Sequence, residues 1–355
     1  MPLVTSGTVS QTIFNTGKII DRAFGPTKIA PQQITPEYIQ IAKDLLYAFL
    51  STLASKGVAL WAVEKLILPI YQGVQDIPCP PETVDVLNCN LRTSTRLTGT
   101  YTSTSGTAAN AGDGDLTTIT QLVAPAGNIT LQFATPGTLF NTVGFFPVVS
   151  GTWDVTIQTS NDGVTWTNVY ANPTLTVVAD EWFWTDIEGI PQVGVNFVRL
   201  LAGATTTLDV AEFVVQNNMQ EIPLAKINRD DYANLPNKFF LGRPVQFWYD
   251  KTIPDPLLVV WPAPQVQFTF NQLVLYVQRY IQDVGTLTQA VEVPQRWTLA
   301  IIAELSRLLN IHIPEAKGDP VLLAQEAKTQ LDLAWGSETD MAPTYLRPRL
   351  WNYTR

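Results

Sequence analysis

The chain has 355 residues, 46% of them hydrophobic and only 15% charged, with a formal charge of −9. At ~100–200 residues per domain that length fits roughly two domains, and the acidic balance excludes a general nucleic-acid binder whose affinity comes from basic side chains on phosphates. A single histidine, His312, removes Ser/His and Cys/His catalytic pairs and the usual zinc sites.

In chain order, Met1 to Ser10 lacks the basic start and apolar core of a signal peptide, so none is expected. Met1 to Gln33 is rich in Thr, Ile, Gly and Pro without sustained period and reads as an N-terminal arm, residues 1–34. Thr35, Pro36 and Glu37 then form a helix start: an N-cap hydroxyl, a proline in the first turn and an acid near the positive end of the dipole. Ile39, Ala42, Leu46, Phe49 and Leu53 recur at helical spacing, with a break predicted near Gly57 and a second apolar helix over Val58 to Leu68 that Pro69 closes. The apolar run Leu45 to Ser55 falls short of the ~20 residues that span a bilayer, so no membrane contact is expected. Cys79 and Cys89 flank a Pro-rich turn at no metal spacing and read as free or structural thiols.

From Leu97 to Val215 the character changes. This block holds ten acidic residues and one basic residue, Arg199, so it carries −9 while the remainder is formally neutral. Such a discontinuity predicts a domain inserted at 97–215 into a host body of 35–96 plus 216–338. Short alternating runs, from Asn128 to Phe133 through Thr207 to Val214, are separated by Gly, Pro, Asn and Asp and predict a β-sandwich. Asn161-Asp162-Gly163 between two of them is a hairpin signal.

Beyond the block, Pro244 to Tyr249, Leu257 to Trp261 and Phe268 to Tyr280 predict a β-meander punctuated by prolines. Two helices follow, one from about Gln295 to Ile311 and one opened by Asp319 and Pro320. Residues 339–355 read as a C-terminal extended arm in which Tyr345, Arg347, Arg349, Trp351 and Tyr353 alternate, so an extended chain puts all five on one face suited to a groove on a neighbouring subunit or to the acidic side of a partner protein. The predicted fold class is therefore α+β: a helical body with a small antiparallel β-meander, interrupted by a jelly-roll-like β-sandwich.

Two resemblances sharpen these expectations. Asp113-Gly114-Asp115-Leu116-Thr117-Thr118, Ser160-Asn161-Asp162-Gly163-Val164-Thr165-Trp166, Phe197-Val198-Arg199-Leu200 and Ala211-Glu212-Phe213 stand in the order of the discoidin, or galactose-binding-like, sandwich family, which the block resembles. The resemblance implies a structural calcium on Asp113, Asp115, Thr118 and Glu212. The alternative is an Asp-Gly turn capped by its own side chains. It also implies sugar binding on aromatic platforms, for which Trp153, Trp166, Trp182 and Trp184 are available, against core packing as the alternative.

The flanks, with Tyr71-Gln72-Gly73, Asp230-Asp231-Tyr232, Gly242-Arg243-Pro244, Trp261-Pro262-Ala263-Pro264 and Pro294-Gln295-Arg296-Trp297 in that order, resemble head-to-tail adaptor (connector) proteins of short-tailed bacteriophages. That resemblance implies a virion structural protein of the tail or neck, assembled in the host cytoplasm. It implies a homo-oligomeric ring of twelve subunits that meets the portal protein and tail nozzle or fibre proteins. Genomic DNA would pass through its channel without sequence-specific binding. Neither resemblance implies catalysis, and no cofactor beyond the calcium is expected. A carbohydrate-binding adhesin, with the sandwich as the working part, is the competing reading.

Overall fold

The computed structural model describes residues 14–56, 62–187, 195–204, 206–253, 255–265, 272–281, 285–291 and 293–336. The chain opens with α1 (Thr16–Phe24) and α2 (Pro36–Lys56). Strands β1 (Val63–Pro69), β2 (Asp76–Pro78) and β3 (Thr83–Arg96) lead into the acidic block. Its strands are β4 (Gly99–Ser103), β5 (Thr120–Leu122), β6 (Asn128–Phe133), β7 (Thr142–Pro147), β8 (Gly151–Ser160), β9 (Thr167–Val177), β10 (Phe183–Asp186), β11 (Phe197–Ala202) and β12 (Leu208–Pro223). Then come β13 (Ala225–Lys226), the short α3 (Arg229–Ala233), β14 (Leu241–Gly242), β15 (Gln246–Asp250), β16 (Leu257–Trp261), β17 (Ala263–Pro264), β18 (Gln272–Arg279), α4 (Thr298–His312) and α5 (Pro320–Gly336).

Contacts divide the chain into two units, one of Met1–Val63 with Gln278–Arg355 and one of Glu64–Val277. The first is helical. Ile19, Ile20, Ala23 and Phe24 of α1, Leu46 and Leu50 of α2, and Ile301, Leu305 and Leu309 of α4 share one core with Trp297, whose ring meets Trp335 edge-on at 5.0 Å. Helix α1 thus lies within the segment expected to be an arm. Asn15 caps it, accepting the Lys18 N–H at 2.9 Å, and Ile19, Ile20, Ala23 and Phe24 give it a face too short to register as periodic in sequence. Helix α5 begins as expected, with Asp319 Oδ1 accepting the Val321 N–H at 2.9 Å.

The second unit corrects the predicted fold class. The host body is not a helical body with a small meander. Among the described residues strand accounts for 39% and helix for 27%, and residues 63–96 and 208–279 supply strands to a sheet ordered β1-β18-β3-β12-β7-β10, with β5 also on β12. The run read as a helix over Val58 to Leu68 is strand β1 from Val63 onward. An apolar run of that length has no period of its own, and long-range pairing decides its conformation. The meander is overturned likewise. Strands β15 and β16 pair antiparallel, but β16 continues to β2, while β18, buried along most of its length, takes a central place between β1 and β3.

The acidic block is an antiparallel β-sandwich. One layer is the five-stranded sheet β4-β6-β11-β8-β9; the other is the β5, β7, β10 and β12 portion of the seven-stranded sheet. Leu131, Val155, Ile157, Val198 and Leu200 meet Val143, Phe145, Phe213 and Val215 between them. The reverse side of β7 and β12 is also covered: Phe146 and Val214 pack with Trp182, Trp184 and, from β1, Ile67. Strand β12 belongs to both regions. Its first half pairs with β7 and its second with β3, from Gln216 opposite Arg96 to Pro223 opposite Asn90, so the boundary placed at Val215 falls inside one strand.

Candidate functional site

The loop expected to hold calcium is closed by its own side chains. Asp113 Oδ1 accepts the Asp115 N–H at 2.8 Å, and Asp115 Oδ1 accepts the Thr117 N–H at 2.9 Å and its hydroxyl at 2.7 Å. These bonds from Thr117 hold the Asp115 carboxyl below its ordinary range. The Thr118 hydroxyl lies 3.0 Å from Asp113 Oδ2. Gly114, at φ +83°, turns its N–H onto Glu212 Oε1, while Glu212 Oε2 accepts from Arg96 Nη2 at 2.8 Å. Asp113, Asp115 and Thr118 of the loop are therefore linked through Gly114 to Glu212 of β12, but both oxygens of Asp113 and of Glu212, and Oδ1 of Asp115, are committed to donors of the protein. No group of three His, Cys, Asp or Glu able to hold a metal occurs among the described residues. The donor set does not fit calcium, since Arg96 supplies the positive charge at the buried Glu212. Burial pushes the Glu212 carboxyl above its ordinary value, against the pull of Arg96. Arg96 lies one residue outside the acidic block, at the end of β3, and only the β3–β12 register brings it to Glu212.

Of the four tryptophans, three are packing residues. Trp153 stacks on Phe145 with ring centroids 6.0 Å apart, and Trp182 stacks on Trp184 at 4.9 Å; all three are buried. Trp166 is different. It follows the Asn161-Asp162-Gly163 hairpin, where Gly163 has φ +74° and Asp162 Oδ1 accepts the N–H groups of Val164 at 2.8 Å and Thr165 at 2.7 Å. This turn delivers Trp166, half-buried, to the outer face of the five-stranded sheet.

There it meets Arg199. Strand alternation sends Val198 and Leu200 into the core and leaves Phe197 and Arg199 outward. The Arg199 guanidinium carbon lies 3.9 Å from the Trp166 ring centroid, and Phe197 approaches that ring edge-on at 6.4 Å. Arg199 Nε donates to Gln158 Oε1 at 2.6 Å, and Gln158 Nε2 donates to Asn168 Oδ1 at 2.6 Å. The register places Thr130, Arg199, Gln158 and Asn168 in one row across β6, β11, β8 and β9. Among the described residues no acid pairs with Arg199, the block's single base, and partial burial lowers its pKa without approaching discharge. The row presents an aromatic ring, amides, a hydroxyl and a fixed cation on one solvent-facing surface. Sequence reasoning marked Trp166 and Arg199 separately; the one-residue alternation of β11 was the signal that Arg199 faces outward.

Elsewhere a groove of about 710 Å³ lies between β1 and the β9–β10 region, lined by Glu64, Lys65, Tyr170, Glu181, Trp182 and Asp186 among others. Its lining residues Lys65 and Asp186 belong to an ion-pair cluster. Arg92 donates to Asp186 at 2.7 Å and to Glu221 at 2.6 Å, and Lys65 lies 2.5 Å from Asp186. Cys79 and Cys89 are buried free thiols, and burial pushes the Cys79 thiol up to about 12, which leaves it inert as a nucleophile. Tyr345, Arg347, Arg349, Trp351 and Tyr353 lie outside the described residues.

No protein-family model matches the chain, and no curated protein matches it in sequence. Among solved structures, it is similar over 34% of its length to 96% of chitosan-binding module 1 from a chitosanase/glucanase of Paenibacillus sp. IK-5, at 23% identity and TM-score 0.29. It is similar over 33% of its length to 93% of a Clostridium perfringens CBM32 domain in complex with GalNAc-β-1,3-galactose, at 18% identity and TM-score 0.28. An F5/8 type C domain from Bacteroides fragilis covers 35% of this chain with 96% of its own, at 13% identity and TM-score 0.30.

Proposed function

We propose that this protein binds carbohydrate through its β-sandwich and acts by binding, not by catalysis. The observation that carries the reading is the Trp166–Arg199–Gln158–Asn168 row, an outward aromatic ring flanked by side chains with donors and acceptors. Sugars need both kinds of group, an apolar surface for the C–H face of the ring and directional partners for the hydroxyls. The test is a glycan array probed with the full chain, followed by calorimetry on each hit with wild type and Trp166→Ala. Loss of the ring's contact area should weaken binding about tenfold or more. An array without hits, or hits indifferent to Trp166→Ala, would overturn it.

A second reading keeps the sandwich in a larger assembly. In the flanking region Phe239 and Ile253 are 82% and 94% exposed, and Phe240 and Leu241 are exposed beside Phe239. Apolar side chains this exposed suit burial between copies of the chain. The head-to-tail adaptor resemblance gives that assembly a form, a ring in a virion neck or tail that contacts portal, nozzle or fibre proteins. Electron microscopy of the chain alone and mixed with a portal ring separates the readings: end-on rings support the adaptor, and a monomer that ignores the portal removes it.

A further inference from the structure

Resting on the carbohydrate reading, we infer that the ligand is a carboxylated sugar, a uronic or sialic acid residue, whose carboxylate is held by Arg199 while its ring lies against Trp166 and Phe197. Arg199 is the only base among eleven charged residues of the block. A lone cation among ten acids ordinarily takes one of them as partner. Here it takes none among the described residues, and is fixed instead by two contacts: Nε on Gln158 Oε1 and the guanidinium carbon over the Trp166 ring. Both contacts leave the two terminal nitrogens with no protein partner among the described residues. That edge is the fork matching a carboxylate with two parallel hydrogen bonds. The rotamer entropy of a long side chain has been spent in folding, so little is lost when the ligand arrives.

The surroundings favour a sugar over a bare anion. Phe197 lies against Trp166 and extends its apolar surface. Asn168 uses its carbonyl oxygen on Gln158, which leaves its amide N–H groups to face a hydroxyl. Thr130, opposite Arg199 in the register, adds a hydroxyl beyond it. Asp162, the acid nearest Trp166 along the chain, has its carboxylate engaged by the N–H groups of Val164 and Thr165 and the hydroxyls of Ser160 and Thr165. The block's charge of −9 opposes an anion at long range, but at physiological salt that field is screened within about 8 Å, and the contact with Arg199 is shorter.

The experiment is calorimetry on the full chain with polygalacturonate and its fully methyl-esterified form, which share one backbone and differ in the carboxylate, and with sialyllactose against lactose. Dextran sulfate is the third arm. Wild type should bind the carboxylated member of at least one pair about tenfold or more tightly than the neutral one. Arg199→Gln should bring both members to parity, Arg199→Lys should keep a small part of the preference, and Trp166→Ala should weaken both. Unchanged thermal midpoints for the Arg199 variants exclude misfolding, and Arg199→Lys serves if the Gln variant does not fold. Equal binding of neutral and carboxylated sugars overturns the inference and leaves carbohydrate binding intact. Dextran sulfate binding as tightly as the carboxylated sugars overturns it in favour of a general anion site. No binding to any sugar overturns both.

Discussion

Arg92 in β3 donates Nη1 to Asp186 Oδ1 in β10 at 2.7 Å while its Nη2 holds Glu221 in β12 at 2.6 Å, and its own side chain is 1% exposed. One guanidinium thus ties three strands that belong to two differently charged parts of the sequence. A buried charge stripped of its partner is strongly destabilising. Arg92→Ala should cost about 3–5 kcal/mol, read as a lower denaturant midpoint. Asp186→Asn should cost less, because Arg92 keeps Glu221. A loss within error for Arg92→Ala would show that the cluster is a bystander.

The same cluster sets a pH dependence. Asp186 is held below the ordinary carboxylate range by Arg92, Lys65 and Thr142 against the opposing effect of burial, and Glu221 by Arg92 and Asn90. A carboxyl depressed in the folded state contributes stability that is full above the unfolded values, near ~4, and is lost as pH falls through the folded ones. Denaturant midpoints should therefore drop steeply between about pH 4 and 2, and less steeply in Asp186→Asn. Identical acid slopes in both proteins would contradict this assignment.

The Arg96–Glu212 pair makes a prediction about metal. Because Arg96 already neutralises the buried carboxylate, millimolar calcium or a chelator should leave the thermal midpoint unchanged. Arg96→Met should lower stability by about 3 kcal/mol by stranding Glu212. An upward shift with calcium in the wild type would mean that the loop opens Asp113 and Asp115 to the ion.

Packing against Gly144 is equally specific. This glycine in β7 lies opposite Trp184 in β10, and a methyl group added there would overlap the Trp184 ring. Gly144→Ala should cost about 1–3 kcal/mol by overpacking; a neutral result in thermal melts would show that the Trp182–Trp184 stack can slide.

Replacing 97–215 with a Gly/Ser linker tests how far the acidic block is separate. The cut at Val215 severs β12, and it removes β7 from the sheet that also holds β3 and β18. The shortened chain should lose the cooperative transition of the Glu64–Val277 unit. A retained transition would show that β1, β18, β3 and the remainder of β12 close a core by themselves.

What the sequence made legible was local. The Asp162-Gly163 hairpin, the Asp319 cap and the alternation of β11 each depend on residues within one turn or one strand, where turn chemistry and period act directly. The remainder depends on partners far along the chain. Val63–Pro69 became a strand because β18, some 200 residues later, pairs with it. Glu212 found Arg96, and Arg92 found Asp186, through strand register that no motif encodes. The site was half-legible: Trp166 and Arg199 stood out by type, but their contact needed β8, β9 and β11 assembled side by side.

Strand β12 has a mechanical consequence. Sixteen residues run without interruption from the sandwich into the neighbouring strands of the same unit. A pull on a sugar held at the outer sheet face would travel as tension along a hydrogen-bonded ribbon, loading its ladder in shear, instead of being absorbed by the slack of a flexible tether. Under the proposed carbohydrate reading, a face mounted this way would transmit force and orientation to whatever its unit is anchored to, and would not swivel freely in search of ligand.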